Sequence, residues 1–117
     1  MGLLDRFRRA TSGRSGVSRP GGADRRYLAE WVCAHAGVEG FVEPKTTVTD
    51  VTIVLIAADG EWTRRIVGEA GARRAAKDLG IPVYDVGRTG YPQRMRDYDA
   101  RRRIERQRAA ERDLDGL

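Results

Sequence analysis

The sequence predicts an α/β domain, a small mixed sheet of four strands with helices packed on it, in the order α-β-β-β-α-β-α. Three observations predict it. Runs rich in Val, Ile and Thr, each of strand length, occupy 48–57, 61–67 and 81–86. Two segments, 24–36 and 69–79, repeat their apolar residues at helical spacing. The strand, helix, strand succession over 61–86 implies a right-handed crossover with parallel pairing.

Taken in order, residues 8–22 are small, polar or Gly and Pro, with little to bury, so they read as a linker and 1–22 as a disordered basic tail. Asp24 is a plausible N-cap for the first helix, and Gly37 a left-handed stop beyond it. Tyr27, Leu28, Trp31, Val32 and His35 share one face of that helix, which should pack on a sheet. The first strand is expected over 38–43, stopped by Pro44, and the second over 48–57. Asp59-Gly60 then signals a hairpin, because both residues tolerate positive φ. In 69–79 the stripe Ala72, Ala75, Ala76 and Leu79 lets the helix lie close to a sheet, and Gly80 ends it. Residues 87–92 read as a loop and the chain from Gln93 as a charged helix. Only Tyr91, Met95 and Tyr98 have the character to pack back on the domain. This divides the chain into a tail at 1–22, one domain at 23–99 and a charged helical tail at 100–117.

A chain of 117 residues fits one domain. No apolar run approaches the roughly 20 residues of a membrane helix, and Met1–Phe7 is too short in apolar character for a signal peptide. One cysteine, Cys33, and one histidine, His35, leave no internal disulfide and no Cys- or His-based metal cluster. A cytoplasmic location, no membrane partner and no cofactor are expected. The net charge is +5, distributed as +4 over 1–22, −1 over 23–90 and +2 over 91–117. Attraction to a polyanion would therefore come mainly from the ends. Of 22 basic residues 20 are Arg, the side chain best suited to bidentate phosphate contact, although a GC-rich genome would also favour Arg codons.

Several groups are candidates for chemistry. Cys33 and His35 lie roughly 200° apart around a helix, near its C-terminus, where the dipole disfavours a thiolate. That geometry speaks against a catalytic pair. Arg73, Arg74 and Lys77 share the helix face opposite the alanine stripe, and Arg64 and Arg65 precede that helix on its feeding strand. Together they form a candidate phosphate-contacting surface. The segment from Gly87 to Arg96 follows the end of a strand expected to be parallel, the place where open α/β sheets bind ligands. Its glycines expose N–H groups, Arg88, Arg94 and Arg96 complement an anion, and Tyr91 offers a stacking face. It lacks the Gly-Lys-Ser/Thr ending of a P-loop, so nucleotide hydrolysis is not implied.

Glu43-Pro44-Lys45 resembles the Glu-x-Lys element of the PD-(D/E)xK nucleases, and the element order is similar to that family's core. The resemblance implies Glu43 as a metal-holding carboxylate and Lys45 as the residue that positions the attacking water. The chain departs from the family in lacking an Asp-bearing strand before this element, and in placing Pro44 within it. The α-β-β-β-α portion is loosely similar to a double-stranded-RNA-binding domain, which ends before the last strand expected here. Finally, the stretches 41–49, 59–65, 81–86 and 90–98 resemble a family of short, basic actinobacterial proteins, some labelled "oxidoreductase". These residues contain neither a dinucleotide glycine fingerprint nor a redox cysteine pair.

The expectation is a non-catalytic accessory protein that binds nucleic acid or a ribonucleoprotein through Arg64, Arg65, Arg73, Arg74, Lys77, Arg88, Tyr91, Arg94, Arg96 and the tails. Two alternatives stand beside it. One is a small enzyme, either a metal-dependent nuclease around Glu43 and Lys45 or an oxidoreductase. The other is a protein-interaction module that docks a partner through 100–117.

Overall fold

The computed structural model describes residues 22–116. The tail expected at 1–22 lies outside these residues except for Gly22, which opens the first helix. The elements are α1 (Gly22–Ala34), β1 (Glu39–Glu43), β2 (Thr52–Ile56), β3 (Trp62–Ile66), α2 (Gly68–Asp78), β4 (Val83–Asp85), α3 (Val86–Thr89) and α4 (Gln93–Asp115). Every strand and long helix falls where the periodicity placed it, and the sheet is mixed. Its order is β3-β2-β1-β4. β1 is antiparallel to β2, β2 is antiparallel to β3, and β4 adds to the far edge parallel to β1.

The strands are shorter than the apolar runs because their ends turn to other tasks. Thr46 closes a turn with Thr49, so 48–51 does not pair in the sheet. Val67 and Gly68 both donate to the Val51 carbonyl at 2.9 Å, which ties the start of α2 to the mouth of β2. The expected loop after β4 contains a further helical turn, α3. Asp85 caps it by accepting from the Gly87 N–H at 2.9 Å. Asp24 is not the cap of α1. It sits in the first turn, and its carboxylate faces the Arg65 guanidinium at 3.9 Å.

β2 is the centre of the molecule, and all five of its residues are buried. Side chains alternate across a strand, so two sets of neighbours are needed. Ile53 and Leu55 pack with Leu28 of α1, Val38, Val67, and Ala72 and Ala75 of α2. Val54 and Ile56 pack on the opposite face with Phe41 and Met95, flanked by Trp62, Val86 and Tyr91. The first turns of α4 thus form a third layer. The β2–β3 hairpin closes at Gly60, whose φ of +95° suits glycine. The start of α4 passes directly over this turn. Among the described residues no helix is long and apolar enough to cross a membrane.

Candidate nucleic-acid interface

Alternation along the strands decides where each candidate side chain goes. Glu43, Thr52 and Arg64 fall on the sheet face that α4 covers, because Glu43 pairs with Thr52 and Arg64 pairs with Val54 in the register. Arg64 reaches Glu43 side-on, Nε to Oε1 at 3.0 Å and Nη2 to Oε2 at 2.9 Å. The Thr52 hydroxyl and the Tyr91 hydroxyl also donate to the same carboxylate. Glu43 is therefore the hub of a network joining three strands to the segment that leads into α4. Lys45 stands exposed beyond the end of β1. Among the described residues no group of three or more His, Cys, Asp or Glu side chains is placed to hold a metal ion.

Burial acts to raise the pKa of Glu43. Hydrogen bonds from Arg64 and Thr52 and the Arg64 charge outweigh it, and the group is held below its ordinary value. Asp24 moves the other way, because burial raises it against the opposing charge of Arg65. The signs differ in their effect on stability. A depressed carboxylate stabilises the fold above the ordinary value of 4.5 and loses that contribution as pH falls through its own lower value. A raised one opposes the fold at neutral pH and is relieved as pH falls toward 3.8. Urea midpoints measured from pH 6 down to pH 3 are expected to fall less in Glu43→Gln than in the parent, and more in Asp24→Asn. If both variants track the parent, the two assignments are unsound.

The arginine candidates divide between the two sides of the sheet. Arg65 lies with α1, its guanidinium 3.8 Å from the centre of the Tyr27 ring. Arg73, Arg74 and Lys77 lie on α2, and Arg73 and Lys77 are exposed. On the other side, Arg94 is turned inward. Its Nε donates to the Ala57 carbonyl at 2.9 Å, and its Nη2 pairs with Glu39 at 2.7 Å. Tyr91 is half-buried in the Phe41–Met95 cluster. Arg88 and Arg96 are exposed, and Arg96 reaches back to the Tyr91 carbonyl at 3.3 Å. The structure thus gathers Arg64, Tyr91 and Arg94 around the base of α4. It keeps Arg65, Arg73, Arg74 and Lys77 apart from them.

That base is well fastened. The Trp62 indole donates to Asp99 at 2.9 Å, and Arg101 donates to the Asp59 carbonyl at 2.9 Å. Beyond Arg101 the helix runs to Asp115 with every side chain exposed except the half-exposed Ala109. Fourteen residues at 1.5 Å each make about 20 Å of helix standing off the domain. Its first part is the most basic surface described: residues 101–108 hold five Arg and one Glu. Arg96 and Arg103, two turns apart, continue this charge toward the domain on one stripe. Arg102, Arg103, Arg106 and Arg108 are the side chains that reading 100–117 as a protein-docking tail passes over. The signal was their density within a single helical segment.

The chain matches no protein-family model, no curated protein and no solved structure.

Proposed function

We propose that this protein is an accessory factor that binds nucleic acid through the projecting part of α4. The supporting observation is the Arg-rich stretch 101–108, carried on helix that nothing else in the described chain covers. A helix presents these guanidiniums at fixed spacing, and its width fits a nucleic-acid groove. Phosphate contact by Arg supplies sequence-independent affinity. Docking to a protein groove calls for apolar anchors at i, i+3, i+4 and i+7. Past Tyr98 this helix offers Ile104 and Leu114, ten positions apart and on different faces.

The test is binding of the full chain to a mixed-sequence duplex, as DNA and as RNA, over a series of salt concentrations. Four arginines engaged with phosphates give a slope of about −3.6 in log affinity against log salt on B-DNA. Undetectable binding to both duplexes at low salt rejects the proposal.

A further inference from the structure

Helical spacing decides how the arginines of α4 are spread around its axis. Successive residues are about 100° apart. Arg102, Arg106 and Arg103 therefore fall within an arc of about 100°, with Arg96 at its margin. Arg108 does not belong to that arc. It stands about 160° around the helix from Arg106 and about 140° from Arg103, yet only about 3 Å farther along the axis than Arg106.

The arginines at the base of the helix are engaged, Arg94 by Glu39 and Arg101 by the Asp59 carbonyl. Farther out the charges are free. Arg103, Arg106 and Arg108 are exposed and form no ion pair among the described residues. Arg102 meets only Glu105, 3.7 Å away. Unpaired guanidiniums thus stand on two sides of one helix, at nearly the same height.

A helix laid against a single row of phosphates uses one side and leaves Arg108 in water. A helix seated between two rows uses both. An α-helix with its side chains is about 10 to 12 Å across, and the major groove of B-form DNA is about 12 Å wide, with a phosphate row along each rim. A-form RNA offers no such seat: its major groove is deep and narrow, and its minor groove is wide and shallow.

Building on the nucleic-acid reading above, we infer that α4 seats in the major groove of B-form DNA, with Arg102, Arg103 and Arg106 toward one phosphate row and Arg108 toward the other. On duplex RNA only one of these two sides finds phosphates. Each phosphate contact on B-DNA contributes about 0.9 to the salt slope, which is about eightfold in affinity at 0.1 M salt. DNA should therefore bind at least about eightfold more tightly than RNA of the same sequence.

The experiment measures fluorescence anisotropy of labelled DNA and RNA duplexes of one sequence with the full chain, as parent, Arg108→Gln and Arg103→Gln. The parent is expected to prefer DNA. That preference should collapse in Arg108→Gln and persist in Arg103→Gln, which loses a contact from the side that both duplexes engage. Both side chains are exposed, and Gln is close to Arg in helix propensity, so circular dichroism should match the parent. Equal binding of the parent to the two duplexes, or a preference for RNA, overturns the groove assignment and leaves nucleic-acid binding standing. So does a preference that survives in Arg108→Gln. Binding to neither duplex at low salt removes both.

Discussion

Replacing Gly60 by alanine is expected to destabilise the protein by about 3 kcal/mol or more, by adding a clash to backbone strain. A Cβ at this position would lie 2.1 Å from the Arg94 carbonyl oxygen and 2.8 Å from the Tyr98 Cβ. These atoms belong to the body of α4, so relief requires the helix to move. The helix is pinned on both sides of the contact, by Arg94 on the Ala57 carbonyl and by Arg101 on the Asp59 carbonyl. A shift that relieved the clash would break both hydrogen bonds and lift Met95 from Val54 and Ile56. In a domain of this size the loss corresponds to a fall in Tm of about 12 to 24 °C. Gly80→Ala provides the comparison. Gly80 also has positive φ, +67°, but open space around it, so only strain of about 1 kcal/mol applies. Thermal melts of the two variants separate the contributions. Equal shifts would mean that α4 does not press on the hairpin.

The second large effect concerns binding. Changing Arg102, Arg103, Arg106 and Arg108 together to Gln should lower affinity for a DNA duplex by about a thousandfold at 0.1 M salt, and flatten the salt slope by about three to four. All four side chains are exposed, and Gln is close to Arg in helix propensity. The far-ultraviolet circular dichroism and the Tm should therefore stay near those of the parent. Arg101 is left in place because it holds α4 to Asp59. The matching change on the other side of the sheet, Arg73 and Lys77 to Gln, alters the slope by no more than about two even if both touch phosphate. A slope that is unchanged in the quadruple variant, or one that moves more with the α2 pair, would remove α4 as the binding element.

How much of this was legible in the sequence varies with the range of the interaction. The strands were legible because Val, Ile and Thr cluster in them, and the hairpin because Asp59-Gly60 stands between two of them. The face of α1 was legible too. Leu28 is buried, with Tyr27, Trp31 and Val32 packed against the same cluster. Cys33 is exposed, as helical geometry requires. Tyr91 and Met95 pack on the core, as expected of two of the few side chains after residue 87 with the character to do so.

What was not legible is partnership between charges distant in sequence. Glu43 and Arg64 are 21 positions apart, and Glu43 and Tyr91 are 48 apart. Nothing in local periodicity says that a carboxylate next to Pro44 will meet a guanidinium two strands away. Arg94 shows the same limit. In the string it is one arginine among several in a polar segment, while in the fold its Nε caps the end of β2 at the Ala57 carbonyl. The Nε of Arg74, buried without an acceptor among the described residues, could not be anticipated either, because an unmet donor is defined by its surroundings alone.

The burial of β2 on both faces carries a cost outside the native state. Residues 51–58 form an eight-residue stretch without charge, Pro or Gly, dense in Val and Ile. Segments of this kind self-associate as stacked strands when left uncovered. One side of it is covered only once the start of α4, nearly forty residues further along, has arrived. During synthesis the hydrophobic stripe of Val54 and Ile56 therefore emerges well before its lid. Asp50 and Asp59 bracket the stretch as gatekeepers whose charge discourages stacking in register. Replacing either by asparagine, which removes the charge and keeps an oxygen to accept from the Val51 or Glu61 N–H, should raise the yield of insoluble protein.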